Sequence, residues 1–170
     1  ITNLTTDFKY TKSQMQFYNT ILQTNTSTLF ADIDFNYERE NLSKFIELVN
    51  INANFKNSYV STTDLKKIYN EFDGNDILRF ETTLKGSLNN FSLQSLNLSS
   101  DKGIQIIGDV NLINSVKQEE FFLSANLENA SADYFKLKKV FPNLLGKTLP
   151  TELIKFGEFS LSGFTKITPS

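Results

Sequence analysis

The side chains that could do chemistry are few. Asp32 and Asp34 stand two apart in an alternating stretch, so both carboxylates fall on one face of a strand, where they could share a hard cation. No third carboxylate or glycine-turned loop accompanies them, and a solvated strand face is the reading they support. Glu119-Glu120, ahead of Phe121-Phe122, reads as a charged turn, because nothing beside it would raise a carboxyl pKa for acid–base work. Lys66-Lys67 and Lys138-Lys139 fall on the outer sides of predicted helices, where long cationic chains cover apolar surface and keep their charge in water. A contact with lipid headgroups is their functional alternative. With His 0 and Cys 0, imidazole or thiolate metal sites, disulfides and histidine-based triads are excluded. The glycines stand singly and form no phosphate-cradling loop. No candidate acid has a candidate partner, so the chain reads as non-enzymatic, with no metal and no cofactor.

The elements that would position any site are strands. Leu29, Ala31, Ile33, Phe35 and Tyr37 alternate with Phe30, Asp32, Asp34 and Asn36, a period of two with one wet face. The same alternation places Leu78, Phe80, Thr82 and Leu84 on one side, as it does Ile104, Ile106, Gly108, Val110 and Leu112. Phe121, Leu123, Ala125 and Leu127 form another set, and Phe159, Leu161 and Gly163 a last one. Shorter strands are expected over Leu4–Tyr10, Gln14–Leu22, Val49–Phe55 and Phe91–Leu98, the last broken near Ser95 as a bulge would break it. Gly108, inside a good strand, marks a bend or a close backbone approach. Short helices are expected over Leu42–Leu48 with Asn41 as cap, from Thr63-Asp64 to Phe72, from Ser131 and Asp133 through Val140 to Pro142, and over 150–156 ended by Gly157.

The 170 residues are enough for one ordinary core, and a net charge of -2 leaves no electrostatic footprint for nucleic acid. No apolar run reaches the roughly 20 residues of a membrane span. The chain opens on Ile1 without a signal-like segment and reads as a single segment of a longer repetitive β protein. An internal repeat of roughly 75 residues, about 1–86 and 87–170, lays the Thr28–Tyr37 strand on Gly103–Leu112 and Leu65-Lys66-Lys67 on Leu137-Lys138-Lys139. Several strands offer three to five apolar residues on one parity, while few helices are available to cover them. Two architectures satisfy this: an extended antiparallel sheet curled into an open apolar trough, or a β-sandwich whose faces cover each other.

The run 84–91, Leu84-Lys85-Gly86-Ser87-Leu88-Asn89-Asn90-Phe91, is followed by Leu96-Asn97-Leu98, the strand Gly103–Leu112 with Gly108-Asp109, the stretch 141–150 around Pro142 and Leu144-Leu145-Gly146, and Leu161-Ser162-Gly163. In combination these resemble the repeating segments of the TamB family, in the AsmA-like superfamily, of the kind found in Bacteroidetes. The resemblance implies a periplasmic bridge anchored in the inner membrane of a Gram-negative bacterium. Its curled sheet, a β-taco, would carry phospholipid toward the outer membrane or support outer-membrane protein assembly beside an Omp85-family barrel. Barrel docking would lie outside this segment. On that reading Leu29, Ala31, Ile33, Phe35, Leu78, Phe80, Leu84, Ile104, Ile106, Val110, Phe121, Leu123, Ala125, Leu127, Phe159 and Leu161 line the groove against phospholipid acyl chains. The rival expectation is a structural or interaction module of a surface adhesin, with its apolar faces paired and no ligand.

Overall fold

In a computed structural model, described for residues 1–69, 72–73, 75–117, 120–140, 142 and 151–168, nine strands form one antiparallel sheet in sequence order. They are β1 (Asn3–Tyr10), β2 (Gln14–Gln23), β3 (Thr28–Asn36), β4 (Asn50–Ser61), β5 (Ile77–Gly86), β6 (Phe91–Ser100), β7 (Gln105–Ile113), β8 (Phe122–Asp133) and β9 (Glu158–Ile167). Each strand pairs with the next, and β1 and β9 are unpaired edges. The strands form one sheet and not two, so the sandwich alternative is not the architecture adopted. Four connections, β1–β2, β2–β3, β5–β6 and β6–β7, are short turns that pair neighbouring strands at small loop-closure cost, and the helices lie in longer ones.

Three short helices interrupt it. A 3-10 turn over Arg39–Lys44 leads into α1 (Phe45–Leu48), α2 (Thr62–Leu65) follows β4, and α3 (Tyr134–Val140) follows β8. A second 3-10 turn, Thr151–Phe156, precedes β9 and ends at Gly157, whose φ is +65°. Asn41 is not a cap, because the 3-10 turn begins before it. The helix expected to reach Phe72 stops at Leu65 and continues as turns, with Ile68 N–H bonded to the Leu65 carbonyl at 2.9 Å. Its cap is Ser61, whose hydroxyl accepts from Thr63 N–H at 3.2 Å. Asp133 caps α3 by accepting from Phe135 N–H at 2.8 Å, while Ser131 remains in β8. Tyr37, Ile104 and Phe121 sit just outside their expected strands, all three buried. Glu119, Phe141 and the stretch 143–150 lie outside the described residues.

The core is layered on one side of the sheet. Leu65, Phe72, Leu137 and Val140, from the α2 and α3 regions, pack on Leu78, Ile104 and Ala132. Leu96, Val110 and Ala125 form a second buried group among Phe80, Leu93, Ile106 and Leu123.

Candidate functional site

Directly opposed residues of antiparallel strands project to the same face. An unbroken register row therefore runs Phe8, Phe17, Ile33, Ala53, Leu84, Leu93, Val110, Ala125, Thr165 across all nine strands. Parallel rows add Met15, Phe35, Ile51, Leu112 and Leu123 on one side, and Leu22, Leu29, Phe80, Leu98, Ile106, Ala130 and Leu161 on the other. Every groove residue expected from the sequence that lies within a strand falls on this face. Ile104 and Phe121 continue its parity beyond the ends of β7 and β8. Phe8, Phe17, Phe55, Leu93, Leu96 and Leu98, which were not among the expected groove residues, share the face, as does Leu112 from the parity set of Ile106 and Val110.

The opposite face is mixed, with polar rows interrupted by Ile21, Phe30, Ile107, Ile113, Phe122 and Phe164. Its register rows pair Asp34 with Asn52, Asn52 with Lys85, and Lys85 with Ser92, and Asp109 with Asn126. Asp32 and Asp34 lie here, occupied by β2: Asp32 accepts from Asn19 N–H at 2.9 Å, and Asp34 accepts from Gln16 Nε2 at 2.8 Å and from Tyr18 OH at 3.2 Å. Among the described residues no cluster of acidic side chains is placed to hold a metal ion. An open cleft is lined by Tyr59, Arg79, Glu81 and Asn97 of this side, with Phe80.

Burial on the apolar face is graded. Fully buried members include Ala31, Ile51, Ala53, Leu78, Leu96, Val110 and Ala125, whereas Phe17, Ile33, Phe35, Phe80, Leu84, Ile106, Leu123 and Leu127 are partly buried. Toward the edges exposure rises, to 55% for Phe8 on β1 and 54% for Leu161 on β9. Aromatic contacts link neighbours along the face, Phe8 with Phe17 at 4.8 Å, Phe17 with Phe35 at 5.7 Å and Phe55 with Phe80 at 5.5 Å between centroids.

The two strand-end margins are covered by different devices. At one, α2 and α3 lie over Leu78 and Ile104. At the other, Phe45 of α1 packs on Phe35 at 5.4 Å, and three loops are tied together through Asn89. Asn89 N–H donates to the Ile46 carbonyl at 3.0 Å, and its own carbonyl accepts from Ser115 N–H at 2.9 Å. The apolar strip therefore runs across the strands, from β1 to β9, and not along them.

The α2 corner is held by one carboxylate. Asp64 Oδ2 accepts from Thr24 Oγ1 at 2.6 Å, Ser27 Oγ at 2.7 Å and Thr26 Oγ1 at 2.8 Å, and Oδ1 accepts from Lys67 Nζ at 2.7 Å. The Lys67 ammonium, with the Thr24 and Ser27 hydroxyls, holds the Asp64 carboxyl well below the usual carboxylate range. Lys66 pairs with Asp73 at 2.8 Å, and Lys138 and Lys139 are exposed on α3.

Comparisons with family models, curated proteins and solved structures found none that matches the chain. Among the described residues no helix is long and apolar enough to cross a membrane.

Proposed function

We propose that the apolar face is a non-enzymatic lipid-carrying surface, a segment of a periplasmic bridge on which phospholipid acyl chains travel from strand to strand toward the outer membrane. The observation that carries this reading is a register row crossing all nine strands in which the large apolar members, Phe8, Phe17, Ile33, Leu84 and Leu93, keep part of their surface in water while Ala53, Val110 and Ala125 between them are buried. Each methylene removed from water against such a surface gains about 0.8 kcal/mol, so an acyl chain of ordinary length is held without a specific polar contact. Headgroups would stay in water along the open side. Nine strands at about 4.8 Å reach only about 40 Å, which is a section of such a path. The inner-membrane anchor and an Omp85-family barrel partner belong to this proposal through the family resemblance, outside the segment.

Binding of a fluorescent fatty acid by the 170-residue chain tests the reading. The parent should bind in the micromolar range or tighter, and folded Leu84→Arg or Ile106→Asp variants should lose at least tenfold in affinity. A folded parent that leaves the probe in water would support a structural module instead.

A further inference from the structure

The register rows keep one face across the whole strand length only because of a repeated irregularity. In β3, β5, β7 and β9 the face residues follow strict alternation, whereas β2, β4, β6 and β8 each carry one extra residue in mid-strand. Phe17 and Thr20 oppose Ile33 and Ala31, Phe55 and Ser58 oppose Thr82 and Phe80, and Leu93 and Leu96 oppose Val110 and Gly108. One residue of each irregular stretch is left-handed, Asn19 (φ 50°), Asn57 (φ 46°) and Ser95 (φ 50°), at an even interval of 38 residues, 19 to 57 and 57 to 95. Facing each insertion, on the next strand, is one acidic residue. Asn19 N–H donates to Asp32 Oδ1 at 2.9 Å, Asn57 N–H to Glu81 Oε1 at 3.3 Å and Ser95 N–H to Asp109 Oδ1 at 2.8 Å.

The insertion decides which side chains face the lipid surface. A one-residue slip moves every following side chain to the other face. In β6 a strand without the bulge would present Ser95, Asn97 and Ser99 to the apolar side and turn Leu96 and Leu98 to water. A non-glycine residue at positive φ is unfavourable on its own, and a charge-assisted bond to its N–H offsets that cost. We propose that Asp32, Glu81 and Asp109 are positioning residues for the apolar surface. From the opposite face, each holds a bulge that keeps the far half of the neighbouring strand in the right parity. The β8 insertion faces Ser162 and has no left-handed residue, so it lies outside this device.

The inference rests on the acyl-surface reading for its functional consequence, and its test separates the two. Because the chain has no cysteine, single Asn97→Cys and Leu98→Cys reporters read the parity of β6 by thiol labelling. In the parent, the reporter at 97 should label at least tenfold faster than that at 98. An added Asp109→Ala should bring the two rates within about threefold and weaken fatty-acid binding, whereas Asp109→Asn, which keeps an acceptor oxygen, should restore both. A Val60→Cys reporter in β4 should respond to Glu81→Ala and not to Asp109→Ala. Unchanged labelling ratios in folded Asp109→Ala and Glu81→Ala would overturn the positioning role. A parent that labels as expected but binds no fatty acid would sink the lipid reading and leave the positioning role standing.

Discussion

At the residue scale, two side-chain environments make sharp predictions. Gly108 has φ +145°, and a Cβ there would stand 2.2 Å from the Asn126 carbonyl oxygen and 2.9 Å from Leu127 Cα. Both the conformation and the space demand glycine. Gly108→Ala should destabilise the chain by at least about 2 kcal/mol, read as a shift in the urea midpoint. An unchanged midpoint would mean that β7 and β8 approach less closely than described. Asp64 makes the second case. Its folded-state carboxyl is depressed, so the stabilisation it supplies is fully present above the ordinary aspartate pKa of about 4 and is lost as pH falls through the folded value. Asp64→Ala should cost roughly 1.5–3 kcal/mol at neutral pH. Asp64→Asn should lose less stability than the parent between about pH 5 and pH 2, and equal losses would show that the carboxylate does not hold the corner.

At the element scale, adjacent positions of one strand should differ in kind. In β6, Leu96 is 4% exposed on the apolar face while Asn97 points to the opposite one. Leu96→Asp should lower stability by about 3 kcal/mol or more and Asn97→Asp by less than about 0.5, measured by thermal or urea unfolding. Similar effects at both sites would reverse the face assignment. The two classes of strand also explain what could be read from the sequence. β3, β5, β7 and β9 alternate strictly, and their Leu, Ile and Phe residues stand out by parity alone. β2, β4 and β6 reset parity at Asn19, Asn57 and Ser95, so no single parity marks their apolar face: β2 and β6 read as strands over Gln14–Leu22 and Phe91–Leu98, β4 only as far as Phe55, and Phe17, Phe55, Leu96 and Leu98 are not assigned to the groove. Ser95 was legible as a bulge because apolar residues lie close on both sides of it. Asn57 was not, since β4 continues with Ser58 and Tyr59. The function of Asp32 was hidden because its partner is a backbone N–H on another strand, and a spacing of two from Asp34 points only to a shared face. For α2, the Leu65, Ile68 and Tyr69 spacing matched a longer helix, but the chain continues past Leu65 as turns.

At the scale of the whole molecule, the sheet separates two surfaces. The mixed face carries the carboxylates that pin the bulges, and the apolar face presents partly buried Phe, Leu and Ile from one unpaired edge to the other. Among the described residues α1, α2 and α3 lie at its strand-end margins, and the direction across the strands is continuous. α2 follows β4 and α3 follows β8, and these two helices supply apolar side chains, Leu65 from one and Leu137 and Val140 from the other, to the same cluster. The most direct test of the acyl-carrying role is organic extraction of the purified 170-residue chain followed by lipid mass spectrometry, beside an Ile106→Asp variant shown to be folded by circular dichroism. The account predicts co-purifying phospholipid in the parent at a defined ratio and its loss in the variant. A folded parent free of lipid, or a variant that retains it in full, would contradict the assignment of this face to acyl chains.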